Sequence, residues 1–319
     1  MRTSAGFFMS NSRIFNKPPY SYQQLLDKFI ARGLQVADKE SAAVHLRNIG
    51  YYRLVGYGLS FEQFCEIGKR LGQYQPNTSF DDLVSIYITD RKIRLLMLSA
   101  IERIEIAVRN IINHELACKY GSAHWYMDAA LFKETADFTH NGFLNEIKRH
   151  TLKNAEARSE KEGKREVFIH HYYNHYDEPE YPPCWMVSEI LPLGAWSKVY
   201  EHLNVSKDRK IISKQLDLAP ATLQSWLHSI TYLRNMCAHH SRLFGRTFVI
   251  RPNQAKGTPF LQENRLFNYV CIVYRILKSI SPDSNWIDRF HDELDAIDNS
   301  LLVQYGFSEN WLEDGFWLE

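Results

Sequence analysis

Apolar positions recur with a helical period through most of the chain, and the longest such run follows residue 78. Thr78 or Ser79 can cap a helix that reaches about Tyr120, in which apolar residues return at steps of three, four or seven. One continuous helix of this extent would be about 60 Å long at a rise of 1.5 Å per residue. We therefore expect a break or a kink inside it, and the pattern as a whole predicts an all-α fold.

Shorter segments of the same kind lie on both sides of this run. Ser21 and Gln24 have the spacing of a capping box for a first helix that ends near Arg32. Residues 49–64 are typical of a turn followed by an aromatic helix or short strands, and residues 68–76 are predicted to be a loop. The other predicted helices cover 39–48, 185–203, 222–240 and 264–279. The helix over 264–279 should pack against the one over 222–240.

The predicted elements divide the chain into four parts. We expect a flexible leader over 1–16 and an N-terminal helical and aromatic lobe over 17–78. A helical core should follow over 79–281, with a charged insertion near 148–176, and a C-terminal helical tail over 282–319. The acidic and aromatic end of that tail should dock either on the body of the protein or on a partner.

Composition narrows the class of protein. The chain is 45% hydrophobic and 13% aromatic, which is enough for a substantial core, and its net charge is only +1. Contact with nucleic acid would therefore have to come from local basic patches. The five cysteines are dispersed and form no C-x-x-C pair, which favours reduced thiols in a cytosol. No apolar run approaches a membrane span, so we predict a cytoplasmic protein without a membrane partner.

The segment YLRNMCAHHSR, residues 232–242, holds the most informative chemistry. Arg234, Asn235 and His239 form the pattern R-N-x-x-x-H on a predicted helix. A histidine can move a proton to or from a ribose hydroxyl near neutral pH, and an arginine can stabilise the charge on a phosphate as it reacts. Arg242 and Arg246 follow; they either grip flanking phosphates or cap the end of the helix.

The same pattern occurs once more, at Arg109, Asn110 and His114, inside the long apolar-periodic run. A third arginine–histidine pair at this spacing, Arg165 with His170, lacks the asparagine. The plain structural alternative applies at each place, because a helical arginine often pairs with a nearby glutamate and a helical histidine often packs in a core.

A cluster of histidines and tyrosines, FIHHYYNHY, follows the charged segment KRHTLKNAEARSEKEGKRE. His171 and His175 are four residues apart, yet no further ligand pattern supports a metal, and we predict neither a metal nor a cofactor. The functional interpretation is RNA binding by stacking and phosphate contact, through Lys164, Arg165, His171 and Tyr172. The alternative is a solvated charged face beside an aromatic wedge that closes the core.

Several blocks in one order resemble the Abi-like family of bacterial abortive-infection proteins, of the AbiD/AbiF type, which belongs to the HEPN ribonuclease superfamily. The likeness runs from about Lys17 to Arg246. The blocks are KPPYSYQQLLDKFIARGL, IGYYRLVGY, DRKIRLLMLSAIERIEIAVRN, FIHHY, PPCWMVSEILPLGAWSKVY and SWLHSITYLRNMCAHHSRL.

The resemblance implies a HEPN-like helical bundle and a metal-independent endoribonuclease, a toxin of anti-phage defence held in check by RNA. In HEPN ribonucleases an arginine is followed four to six residues later by a histidine, which falls here on Arg234 and His239, with His240 also within the spacing. His239 would act as general base or acid, Arg234 would stabilise the transition state and Asn235 would orient His239 or the phosphate. The products would be a 2′,3′-cyclic phosphate and a 5′-hydroxyl.

Such sites are usually composite, and two arrangements stay open. Either a homodimer brings two copies of Arg234 and His239 together, or Arg109 and His114 face them within one chain. The partners implied are RNA as substrate and a small noncoding RNA as regulator, with no DNA. Two other functions remain: an RNA-binding or RNA-sensing module that does not cut, and a nucleotidyl-accepting toxin that a partner enzyme neutralises.

Overall fold

The computed structural model describes residues 15, 17–151, 166–295 and 297–317. Helices dominate this part of the chain and a single two-stranded hairpin accompanies them, which confirms the all-α prediction. The chain separates into two compact units, one ending at Ser85 and the other beginning at Ile86. Most of the predicted leader and residues 152–165 of the charged insertion, with Lys164 and Arg165, lie outside the described residues.

The first unit contains three short helices and the hairpin. Its elements are α1 (Tyr22–Ala31), α2 (Lys39–Ile49), α3 (Tyr51–Gly58), β1 (Glu62–Phe64) and β2 (Arg70–Tyr74). The capping box at Ser21 is confirmed, since its side chain accepts from the backbone of Gln24 and the Gln24 side chain accepts in return. The loop predicted over 68–76 is wrong, because residues 70–74 pair antiparallel with β1. Glycine at 72 and charged neighbours hide the strand pattern, and only the pairing reveals it.

The long helix α4 (Phe80–Tyr120) is continuous over 41 residues, so the predicted break is wrong. Ser79 begins it with a second capping box, in which its hydroxyl accepts from the Asp82 amide and the Asp82 carboxylate accepts from the Ser79 amide. No proline or glycine occurs between residues 80 and 120, so nothing in the sequence interrupts the backbone hydrogen bonds. The boundary between the two compact units falls inside this helix.

The second unit contains the rest of α4 and further helices. They are α5 (His140–Thr151), α6 (Val167–His175), α7 (Cys184–Ile190), α8 (Leu193–His202), α9 (Ser206–Lys214), α10 (Pro220–Ala238), α11 (Leu266–Ile280), α12 (Trp286–Asp295) and α13 (Asn299–Leu302). The single helix predicted over 185–203 is wrong, because Pro192 separates α7 from α8. Helix α9 was not predicted. The packing of α11 against α10 is confirmed.

The acidic and aromatic tail docks on its own chain. Trp311 and Trp317 are buried and their rings meet edge to face at 4.8 Å. The hydroxyl of Tyr274, on α11, donates to the backbone carbonyl of Trp317 at 3.0 Å. The tail was predicted to dock either on the body of the protein or on a partner, and the structure shows it on the body.

Candidate active site at the end of helix α10

The motif residues lie where helix α10 ends. Its apolar side, with Leu233 and Cys237, is buried, whereas Asn235 and His239 are exposed and Arg234 is half-buried. The motif therefore lies on the side of the helix that solvent can reach. His239 was predicted inside the helix, but it is the residue that caps its carboxyl end.

The chain leaves α10 through a tight turn. The amide of His240 donates to the carbonyl of Cys237 at 3.1 Å, and the amide of Ser241 donates to that of Met236 at 2.8 Å. This pair of bonds is the Schellman closure of a helix end, and it requires the intervening residue to be left-handed. That residue is His240, with a φ of 58°, in a position where glycine is usual. His239 is thus held between two closed backbone hydrogen bonds, with its side chain in solvent.

The motif side chains have few partners of their own. Nη1 of Arg234 lies 3.5 Å from Oδ1 of Asn235, a long and weak contact. Within the described part of the chain, Arg234 has no carboxylate partner and the imidazole of His239 makes no hydrogen bond or ion pair. An exposed imidazole and a guanidinium without a carboxylate are both available to an anionic ligand.

Arg234 faces a groove of about 310 Å³ along α4. The described side chains that line this groove are Leu98, Ile101, Glu102, Glu105, Ile106, Arg109 and Arg234. The arginines of both sequence motifs therefore reach one groove. The two histidines do not, since neither His114 nor His239 is among these lining residues.

Arg109 is committed to the scaffold. Its Nη1 donates to the carbonyl of Ser188 at 2.8 Å and lies 3.4 Å from that of Leu191, at the break between α7 and α8. Its Nη2 lies 3.6 Å from the Glu105 carboxylate, which also accepts from the amide of Leu193 at 3.1 Å. Pro192 interrupts the helix here, and the carbonyls of Ser188 and Leu191 and the amide of Leu193 therefore bond to side chains of α4 instead. This geometry favours the structural alternative for Arg109.

The second motif is split by the helix that carries it. Asn110 and His114 line a different cavity, of about 350 Å³, beside Cys118 and Cys184. Nε2 of His114 lies 3.8 Å from the sulfur of Cys118. Arg109 and His114 therefore line different cavities beside α4, although they belong to one sequence motif.

A buried ion pair that sequence reasoning missed supports the segment after the motif. Asp90 is fully buried and its Oδ1 accepts from the amide of Phe244 at 2.9 Å and from the hydroxyl of Tyr305 at 3.0 Å. Its Oδ2 accepts from the amide of Leu243 at 3.2 Å and from Arg94. An aspartate four residues before an arginine, on the apolar face of a long helix, was the signal that could have found it.

The other residues of the RNA-binding prediction differ in their surroundings. Arg242 donates to the carbonyl of Phe244 at 2.7 Å and so supports its own loop, while Arg246 is half-buried and His240 exposed. Tyr172 is only 4% exposed, and its hydroxyl lies within hydrogen-bond distance of two backbone carbonyls, those of Pro179 at 2.6 Å and Tyr181 at 2.9 Å. This burial favours the aromatic-wedge alternative over stacking on a base.

His171 and His175 remain on the surface of α6, with their ring centres 4.0 Å apart. Nδ1 of His175 is 2.8 Å from the carbonyl of His171, which occupies one of its two ring nitrogens. In the residues that the structure describes, no group of three or more histidine, cysteine, aspartate or glutamate side chains is arranged to hold a metal ion.

The fold and the site together define an α-helical protein in which an arginine–histidine motif faces solvent at a helix end. A family model described as Abi-like protein matches residues 44–245, well over half of the chain, and the chain therefore belongs to the Abi-like family. Membership of this family implies a role in abortive-infection defence. No curated protein and no solved structure matches the chain. None of the described helices is long and apolar enough to cross a membrane.

Proposed function

We propose that this protein is a metal-independent endoribonuclease of the HEPN type that acts as a toxin in abortive-infection defence. The observation that carries the proposal is the placement of Arg234 and His239. Both side chains reach solvent at a rigidly closed helix end, and neither is occupied by a carboxylate in the described chain. A scaffold role would predict the opposite, as Arg109 illustrates.

The chemistry follows from the two functional groups. A ribose 2′-hydroxyl attacks the adjacent phosphorus, its proton passes to a base, and the bond from phosphorus to the 5′-oxygen breaks as that oxygen takes up a proton. His239 is the proton carrier at one end of this reaction. Arg234 stabilises the negative charge that grows on the phosphate oxygens, and Asn235, 3.5 Å from it, orients the guanidinium.

Two protons move in this reaction, so a second carrier is needed. We propose that a second copy of the chain supplies it, in a homodimer that brings two copies of Arg234 and His239 together. The internal alternative is less favoured, because Arg109 is bound to the carbonyls of Ser188 and Leu191 and His114 lines another cavity. Arg242, Arg246 and His240 would contact flanking phosphates, and a small noncoding RNA would hold the toxin inactive.

The test is cleavage of RNA by the purified protein in EDTA, with product ends determined. We expect cleavage that leaves 2′,3′-cyclic phosphates, and we expect Arg234→Ala and His239→Ala each to abolish it without unfolding the protein. His228, exposed on the same helix, offers the matched control, and His228→Ala should cut normally. Arg234→Lys should fail, because an ammonium lacks the planar fork that engages two phosphate oxygens.

Three results would contradict the proposal. Activity lost in EDTA and restored by a divalent ion would replace it with metal-dependent chemistry. Full activity in both alanine variants would show that Arg234 and His239 are not the catalytic residues. RNA binding without cleavage, in the wild type under all these conditions, would favour the module that senses RNA without cutting it.

A further inference from the structure

The segment that follows the motif is held at both of its ends by one buried ion pair. Nη1 of Arg94 lies 3.4 Å from the carbonyl of Ser241, and the Asp90 carboxylate accepts from the amides of Leu243 and Phe244. Arg94 and Asp90 are four residues apart on α4 and bind each other. Ser241, Leu243 and Phe244 are therefore bound to α4 through their backbone.

The other side of the motif is fixed as well. The amide of Ser241 closes back on Met236, so His239 and His240 span a short gap between two anchored points. His240 occupies the left-handed region there, which costs a non-glycine residue about 1–2 kcal/mol. Strain of this kind persists only where the surroundings determine the backbone, and it concentrates at functional sites. The Schellman closure requires this conformation, and the ion pair fixes the residues that follow it.

The attraction between Asp90 and Arg94 by itself adds little to the stability of the fold. Asp90 and Arg94 are both almost fully buried, and the cost of removing two charges from water offsets most of their attraction. Apolar residues of the same volume would often be as stable or more so. Apolar residues would, however, remove the carboxylate that accepts from the amides of Leu243 and Phe244 and would loosen the turn that carries His239.

We propose that Asp90, with Arg94, is a positioning residue that holds His239 in its reactive place at the end of α10. The proposal rests on the nuclease function proposed above, but the positioning itself is measurable without RNA. Asp90 does not touch the substrate in this account. It acts through the backbone of residues 241–244.

The first arm of the test follows the histidines by NMR in Asp90→Asn, a variant of nearly unchanged shape. We expect the imidazole signals of His239 to shift or broaden, while those of His228, near the middle of α10, stay in place. The amides of Leu243 and Phe244 should also exchange with solvent faster. Unmoved His239 signals and unchanged exchange would overturn the proposal.

The second arm measures RNA cleavage per folded molecule, well below the unfolding transition. We expect Asp90→Asn to lower kcat by roughly 10- to 100-fold, as a small misplacement of a catalytic group does, with KM nearly unchanged. Asp208 provides the control, since it is another fully buried carboxylate, bound by Lys119 and by the hydroxyl of Tyr120 at 2.7 Å. Asp208→Asn should lower thermal stability but leave kcat per folded molecule unchanged.

Equal loss of kcat in both variants would show a general effect of destabilisation and would overturn the positioning role. If Asp90→Asn does not fold, the double variant Asp90→Asn with Arg94→Met removes both charges and tests the same expectation. If the wild type cuts no RNA, the proposed function fails, and the NMR arm alone decides whether Asp90 positions His239.

Discussion

The arginines that share the groove beside α4 should respond in opposite ways to truncation. Arg109→Ala should destabilise the protein and leave its chemistry intact, whereas Arg234→Ala should leave stability nearly unchanged and abolish cleavage. The two residues carry the same sequence pattern, so the difference arises only from their contacts.

The cost of losing Arg109 can be estimated from the structure. Its 2.8 Å bond to Ser188 is short, and a hydrogen bond from a charged donor contributes about 1.5–3 kcal/mol. The contacts of 3.3 Å to the carbonyl of Glu105 and 3.4 Å to Leu191 add less. Truncation also leaves the Glu105 carboxylate, 13% exposed, without its cation. The total is roughly 2–4 kcal/mol, which lowers Tm by about 4–16 °C in a domain of this size.

In the described part of the chain Arg234 makes one long polar contact, so its truncation should cost less than about 1 kcal/mol. The assay combines thermal denaturation by circular dichroism with RNA cleavage per folded molecule. A Tm for Arg109→Ala equal to that of the wild type would refute the structural reasoning. Loss of cleavage in Arg109→Ala at full stability would instead establish the internal pair of motifs in place of the homodimer.

The remaining predictions concern the turn, the thiols and the charged insertion. His240→Gly should retain thermal stability, whereas His240→Val should lose about 1–2 kcal/mol, because a β-branched residue is poorly accommodated at a φ of 58°; equal melting curves would contradict this. In the native protein a thiol reagent at pH 8 should modify exposed Cys118 but not Cys237, because burial raises the pKa of the Cys237 thiol to about 12 and keeps it protonated; rapid labelling of Cys237, measured by peptide mass spectrometry, would show that the α10 core opens. Charge reversal at Lys164 and Arg165 together should weaken RNA binding and flatten its salt dependence, and an unchanged salt slope would remove this segment from the RNA-binding surface.

Local patterns were sufficient where the physical cause is local. Ser21 and Ser79 predict helix starts, because each serine hydroxyl and the side chain three residues later form the capping hydrogen bonds of the first turn. The apolar period of α4 predicts its buried face, where Ile93, Met97 and Ile104 are inaccessible to solvent. The break in α4 was a wrong expectation drawn from length alone, since a capped run without proline or glycine has no reason to stop.

The candidate site was also found locally, because an arginine, an asparagine and a histidine at fixed spacing on a helix are visible in eleven residues of sequence. The sequence could not separate the two copies of that pattern. Arg109 is bound by carbonyls about 80 residues away, which a proline break between two helices leaves free, whereas no comparable contact binds Arg234 within the residues that the structure describes.

By itself, then, the sequence determined the helical class, the main helix starts and the place of the motif, since each depends on neighbours within a few turns. The tertiary structure alone decided that Tyr172 is buried, that residues 70–74 form a strand and that Asp90 bonds to the backbone that follows the motif. Asp90 meets the amides of Leu243 and Phe244 across more than 150 residues of chain. No local period encodes such a pairing, because it exists only once the packing of separate helices has brought a buried carboxylate against these backbone donors.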